Sequence, residues 1–279
     1  MSATWDSIAY RLLKLVSTSR NRLTEAEVAA KARQRDHQAS QARWFLSLLD
    51  GYIEYQGKTV LDIGSGYGDL CIQLAKTGAQ SAVGVDIDPV RVNSARRLAE
   101  QEGVQEVVKF QCADFVKDFI STQQFNLILS FDAFEHILDP LGCLQKAFAC
   151  LPNRGSLATL FGPLWWSPNG AHTRGFTRLP WVHILFPEKV VLRVRAEYYR
   201  PDQTVERYED IVGHLSRMTV MRFRQYAAQA GFKIRLFRLN PDKDRARHGI
   251  LRPFNSIVNG MPVLRELGAQ LLLAILDKP

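Results

Sequence analysis

Val60-Leu61-Asp62-Ile63-Gly64-Ser65-Gly66-Tyr67-Gly68-Asp69 is the stretch that decides the fold. An aliphatic run ends in glycines at alternate positions, and a helical pattern follows through Lys76. A short buried strand, a tight loop and a helix in that order are the first part of a βα crossover. Glycines spaced this way let the backbone pass close beneath a ligand. The dinucleotide fingerprint GxGxxG/A needs a small third residue where this chain has Asp69, and no Lys-Ser/Thr follows as a phosphate-cradling loop requires. Acidic Asp62 and Asp69 suit a cation better than a pyrophosphate.

Outward from this loop the same rhythm repeats. Thr59–Ile63 reads as strand, Gly68–Lys76 as helix, Ser81–Val85 as strand, Pro89–Glu102 as helix and Val107–Phe110 as strand. Phe125–Ser130 is strand, Leu141–Cys150 helix and Ser156–Phe161 strand. Such alternation predicts an α/β fold, a mostly parallel sheet with helices on both faces. Residues 162–217 break the rhythm with Pro163, Pro168, Gly170, Gly175, Pro180, Pro187, Pro201 and a Trp/Phe-rich stretch, and read as a lid or insertion after the fifth strand. The pattern resumes with a helix over Met218–Ala230, a strand over Phe232–Leu239, a helix near Pro262–Leu267 and a strand over Leu271–Leu276. Ahead of the sheet, residues 1–57 form a helical cap, leaving 58–279 as the main domain. Within the cap, Ile8, Leu12, Leu15 and Val16 share a helical face, suited either to closing over the ligand loop or to packing on the sheet. Thr24 and Glu27 fit a capping box for a second helix ending near Leu49, before Gly51.

A second acidic signal, Val83-Gly84-Val85-Asp86, closes the next strand, where a carboxylate is placed to take both hydroxyls of a ribose. With VLDIGSGYGD, VGVDIDP, Asp114 after the third strand and FNLILSFDAFEHILDP in that order, the chain resembles the class I S-adenosylmethionine-dependent methyltransferases, of the type 11/23-like kind. The resemblance implies a Rossmann-like sheet of seven strands with the last strand antiparallel. It implies S-adenosyl-L-methionine as cofactor, with Asp62, Gly64, Ser65, Gly66 and Gly68 under its methionine part and Asp86 and Ile87 at the ribose. Asp114 and Phe115 would meet the adenine, while Ser130 and Phe131 would line the methyl end. Asp114 also suits a helix N-cap, and the two roles are compatible.

On the acceptor side, Asp132, Glu135 and His136 stand at i, i+3 and i+4. On a helical turn all three project from one face and offer an O/O/N shell to a divalent ion, Mg, Mn, Fe or Zn. The segment is similar to the EMLEH-type stretch of ubiquinone-pathway catechol O-methyltransferases and to the ExxEH stretch of small-RNA 2′-O-methyltransferases. His172 is the best-placed fourth ligand, with His183 second. The competing reading gives His136 and His172 to the acceptor as bases, with no metal, and Asp139 to a helix cap before Pro140. The expected reaction is methyl transfer to a small-molecule acceptor, O-methylation first, metal-assisted on a catechol or vicinal diol. The alternatives are metal-independent N- or O-transfer, an RNA methyltransferase, or a cofactor-binding protein without catalysis.

Trp165, Trp166, Phe176, Trp181 and Phe186 either wall an aromatic or lipid-like acceptor or form a satellite core, the latter suiting Trp181 and Phe186. The net charge of +8 is unevenly spread: residues 170–252 hold 17 basic and 8 acidic side chains, whereas 58–169 hold 9 and 12. This places an anionic acceptor, or a solvated Arg-rich surface, on the lid side. No RNA-binding module is recognisable, which argues against a nucleic-acid partner. The longest apolar run, Leu271–Leu276, is too short to cross a bilayer, and Cys71, Cys112, Cys143 and Cys150 make no CxxC pair. Reduced thiols in a cytoplasmic protein are the expectation.

Overall fold

A computed structural model describes residues 3–17, 35–201, 204–211, 215–241 and 265–279. Seven strands form one sheet: β1 (Thr59–Ile63), β2 (Ser81–Asp86), β3 (Val108–Cys112), β4 (Leu127–Phe131), β5 (Ser156–Phe161), β6 (Lys233–Leu239) and β7 (Leu272–Asp277). Their spatial order is β3-β2-β1-β4-β5-β7-β6. β1 lies parallel between β2 and β4, with Leu61 opposite Val83 and Ile128. β7 runs antiparallel to both of its neighbours. The order reverses between β1 and β4, so the crevice at their carboxyl ends is where a ligand of such a sheet binds.

The helices are α1 (Ala3–Val16), α2 (Arg35–Leu49), α3 (Asp69–Lys76), α4 (Pro89–Gln101), α5 (Pro140–Cys150), α6 (Val182–Leu185), α7 (Glu188–Tyr198), α8 (Val220–Gln229) and α9 (Arg265–Gly268). Alternation along the strands sends successive side chains to opposite faces. Leu61, Ile63, Ile128 and Leu157 meet Leu144 of α5 and Phe223 and Ala227 of α8 on one side. Val60, Leu127, Leu129 and Ala158 meet Phe45 and Leu49 of α2, Leu74 of α3 and Ala95 of α4 on the other. Asp88 and Asp139 start α4 and α5 as expected of N-caps before proline, accepting from the Val90 and Gly142 amides at 2.8 and 2.9 Å.

The N-terminal helices part company. α2 joins the sheet through the second core, whereas α1 packs on α7 of the 162–217 segment, Ala9 and Leu13 entering a third core with Phe176, Val182, Val191 and Tyr208. The expectation that Ile8–Val16 closes over the ligand loop or lies on the sheet is therefore corrected. Ala9 and Leu13 are the buried stripe, and Ile8, Leu12, Leu15 and Val16 face solvent. A small residue at Ala9 lets α1 approach α7 closely, which the wider apolar face does not allow. Trp165 and Phe186 pack against this same third core, and Trp181 Nε1 donates to the Trp166 carbonyl at 3.0 Å. The capping box at Thr24 and Glu27 lies outside the described residues, as does the start of the helix expected near Pro262.

Candidate active site

The crevice at the end of β1 opens into a cavity of about 370 Å³ lined by Asp62, Gly64, Ser65, Gly66, Tyr67, Asp69, Phe131 and Asp132 from the sheet side. Its floor requires glycine. Gly64 has φ +77°, and a Cβ there would lie 2.6 Å from Ala133 Cβ; at Gly68, φ +87°, it would lie 2.5 Å from the Phe110 ring. The Gly64 and Ser65 amides donate to the Val85 carbonyl at 2.8 and 3.0 Å, which locks the loop to β2.

Three carboxylates, Asp62, Asp69 and Asp132, line the cavity, and Asp86 stands at the end of β2 beyond the lining. Asp62 is buried, and Cys71 Sγ donates to its Oδ2 at 3.6 Å. Burial, with Asp86 nearby, pushes its pKa from 3.8 up to about 7. An ammonium group arriving beside it would favour the ionised form. Asp86 accepts from the Gly66 amide at 2.8 Å and from the Asp88 amide at 2.9 Å, one N–H per oxygen. Each oxygen keeps acceptor capacity for a hydroxyl. Ile87 beside it is exposed. Ser130 donates to the Ile63 carbonyl at 3.0 Å from a fully buried position, tying β4 to β1 rather than facing the cavity.

Asp114 takes the capping role: its Oδ1 accepts from the Val116 and Lys117 amides at 2.9 and 3.3 Å. Phe115 is buried in the core, 5.3 Å from the Phe119 ring, and is absent from the cavity lining.

Residues that sequence reasoning missed come from α2. His37, Gln38, Gln41 and Ala42 roof the cavity, and Arg91 of α4 closes one side. Phe131 stacks on Phe45 at 5.2 Å and meets Trp44 edge-on at 6.3 Å, so β4 itself holds α2 in place. Only the aromatic pair at 44–45 hinted at this, because the polar face of α2 looks like any solvated helix.

Beyond β4 the chain turns sharply. Asp132 has φ +52°, and only a 3-10 turn follows, Phe134–His136. A turn that tight does not stack i, i+3 and i+4 on one face as an α-helix would. Glu135 is turned inward, buried, with Oε1 accepting from the Gly162 amide at 3.2 Å. Among the described residues no group of three or more His, Cys, Asp or Glu side chains is arranged to hold a metal ion. Asp132, Glu135, His136 and His172 make no such group in this structure, and no step below is routed through a metal.

The structure does bring His136 and His172 together, ring centroids 5.5 Å apart. His172 Nε2 is buried without a hydrogen-bond partner, and burial with His136 and Arg195 nearby lowers its pKa from 6.5 to about 4. It is a neutral acceptor at physiological pH. Asp132, also a wall of the cavity, is exposed to solvent; the protein packed around its carboxyl and the neighbouring Glu135 push its pKa up from 3.8, with His136 opposing the rise. His183, the second choice for a ligand, is occupied: its Nε2 lies 2.6 Å from the Trp165 carbonyl, so it carries the proton there.

Residues 54–160, the β1–β5 half just described, match the family described as Methyltransferase domain. Residues 54–160 thus carry a methyltransferase domain, and the whole sheet has the fold of S-adenosylmethionine-dependent methyltransferases. The ribosomal protein L11 methyltransferase of Serratia proteamaculans (strain 568) is 35% identical over 119 residues, 41% of this chain and 39% of that protein. That of Erwinia tasmaniensis is 36% identical over 120 residues, 43% and 38% of the two. The chain thus spans about two fifths of the length of these curated relatives. Among solved structures, an S-adenosylmethionine-dependent methyltransferase from Mesorhizobium loti aligns with TM-score 0.56 at 17% identity, over 85% of this chain and 97% of that one. A geranyl diphosphate C-methyltransferase from Streptomyces coelicolor A3(2) aligns with TM-score 0.57 at 15% identity, over 89% and 82%. At these identities the structural likeness speaks for the methyltransferase fold.

Proposed function

We propose that this methyltransferase domain binds S-adenosyl-L-methionine and moves its methyl group to an oxygen or nitrogen of a small-molecule acceptor. When bound, the cofactor supplies a sulfonium-activated methyl group. Asp62 and the Gly64–Gly68 loop would hold its ammonium end, and Asp86 its ribose. Buried carboxylates without a phosphate-binding lysine are the donor set a cationic cofactor needs. Tyr67 and the α2 side chains His37 and Gln41 would exclude water from above.

The observation that carries the reading is Asp132. It lines the cofactor cavity and is coupled electrostatically to His136, with the His172 ring tilted against that of His136. A carboxyl raised above the ordinary carboxylate range suits general-base work better than His172 at about 4. In this arrangement Asp132 takes the proton of the attacking group, while neutral His172 Nε2 accepts a hydrogen bond that orients it. The catalytic roles first given to the two histidines thus pass in part to Asp132. The segment 162–217, which lies outside the family match, would shape the acceptor side. The basic excess of residues 170–252 suits an acceptor bearing negative charge.

The test is a methyl-transfer screen with labelled S-adenosylmethionine across phenols, hydroxy acids, amines and ribosomal protein L11. Turnover of a small acceptor that Asp132→Asn abolishes, while cofactor affinity stays within twofold, is the expected result. Absence of cofactor binding in the wild type sinks the proposal. Turnover on L11 alone would transfer the substrate class of the curated relatives to this chain.

A further inference from the structure

α1 carries an apolar face that the fold leaves outside. Trp5, Ile8, Leu12, Leu15 and Val16 recur at i, i+3, i+7, i+10 and i+11, one stripe of a 3.6-residue helix. All five are between 41% and 82% exposed. An amphipathic helix of a soluble domain ordinarily turns its apolar face to the core. Here only the adjoining Ala9 and Leu13 go inward, held on α7 by Tyr10 donating to Glu197 at 2.7 Å and by the Lys189–Asp6 ion pair at 2.5 Å. The outward orientation is therefore anchored from behind. α6, which also rests on α7, adds Ile184 and Leu185 to the exposed apolar surface.

Charge selects the occupant. Residues 3–17 and 170–198, which build this part of the molecule, hold seven Arg or Lys against three Asp or Glu. Arg11, on α1 itself, and Arg174 and Arg178 are exposed. A second copy of the chain would bring the same positive excess against itself. An anionic lipid surface complements it, and a helix with Trp, Ile and Leu on one face and cations at its border is built to lie in the headgroup boundary. We propose that α1 is an interfacial anchor that docks this chain on membranes containing anionic lipid. Trp5, Ile8, Leu12, Leu15 and Val16 enter the headgroup–acyl boundary, and Arg11, Arg174 and Arg178 meet the headgroups. No helix among the described residues is long and apolar enough to cross a membrane, so the contact lies in the interface.

The inference stands apart from methyl transfer and is tested without activity. The full chain is floated with vesicles of phosphatidylcholine alone and of phosphatidylcholine mixed with phosphatidylglycerol. The wild type should partition onto the mixed vesicles, less onto the neutral ones, and less again as salt rises. Leu12→Glu/Leu15→Glu should weaken partitioning by on the order of a hundredfold, since two exposed leucines are lost from the apolar contact and two acidic groups added. Circular dichroism and melting temperature should not move, because both sites are exposed; Leu12→Ser/Leu15→Ser, with no added charge, should weaken partitioning by an intermediate amount. Failure of the wild type to bind the mixed vesicles overturns the proposal. So does undiminished binding by both double variants, or a wild-type dimer that ignores vesicles and that Leu12→Glu/Leu15→Glu turns into a monomer.

Discussion

Asp62 makes a quantitative prediction about cofactor binding. Its carboxyl is buried with one thiol donor at 3.6 Å and the Asp86 carboxylate nearby, and its pKa stands at about 7. Below that value it is mostly protonated, and a neutral acid attracts an ammonium weakly. With a pKa of about 7, half of the sites are ionised at pH 7 and roughly one in a hundred at pH 5. The apparent affinity for S-adenosylmethionine should then fall about fiftyfold from pH 7 to pH 5, worth about 2.3 kcal/mol. Binding at pH 5 to 6 should also release close to one proton. Isothermal titration in buffers of different ionisation enthalpy reads both quantities. Asp62→Asn keeps the volume and removes the charge. It should flatten the pH dependence and, at pH 7, weaken binding by about tenfold or more. The unliganded protein carries the opposite signature. A folded-state pKa above the unfolded 3.8 means that the native protein holds the extra proton, so stability falls as pH rises from about 4 to about 7. Affinity that is flat between pH 5 and 7 in the wild type, or an equal slope in Asp62→Asn, would refute the assignment of Asp62 to the ammonium.

Three further predictions follow from local geometry. Glu135 is fully buried with one amide donor and a pKa raised from 4.5 to about 7, so stability it withholds as pH rises through that window should return in Glu135→Gln, by up to about 3 kcal/mol at pH 8 in urea titrations. Gly64→Ala places a Cβ 2.6 Å from Ala133 at φ +77°; the melting temperature should drop by several degrees and cofactor affinity with it, and an unchanged melting curve would show that the loop is not as tightly set. Phe45→Ala removes the stack under Phe131, so denaturant unfolding should lose about 3–5 kcal/mol and the cofactor dissociation rate should rise as α2 loosens.

The fold was legible because its evidence is local. Strand, glycine turn and helix each leave a mark within ten residues, and Asp86 ends β2 where the pattern placed it. The parallel sheet followed from the βα alternation and the antiparallel final strand from the family resemblance, and the sheet carries both. Asp139 and Asp114 were readable as caps because capping acts over two or three residues.

The turn after β4 shows what spacing leaves open. An α-helix would put Asp132, Glu135 and His136 on one face, whereas the positive φ at Asp132 followed by a 3-10 turn sends Glu135 inward to the Gly162 amide. Spacing cannot distinguish these two windings, because both keep the residues adjacent in the chain. The amphipathic pattern of α1 was visible too, yet the pattern does not say whether an apolar face meets a core or an interface. Sequence by itself determined the βα order, the glycine loop and the acidic character of the cofactor half, each a matter of neighbours along the chain. Only the tertiary structure decided that α2 and not α1 roofs the cavity, that His172 comes within 5.5 Å of His136, and that burial lifts Asp62 to about 7. Those outcomes are set by which distant segments exclude water from a group, a property that no residue carries in its own neighbourhood.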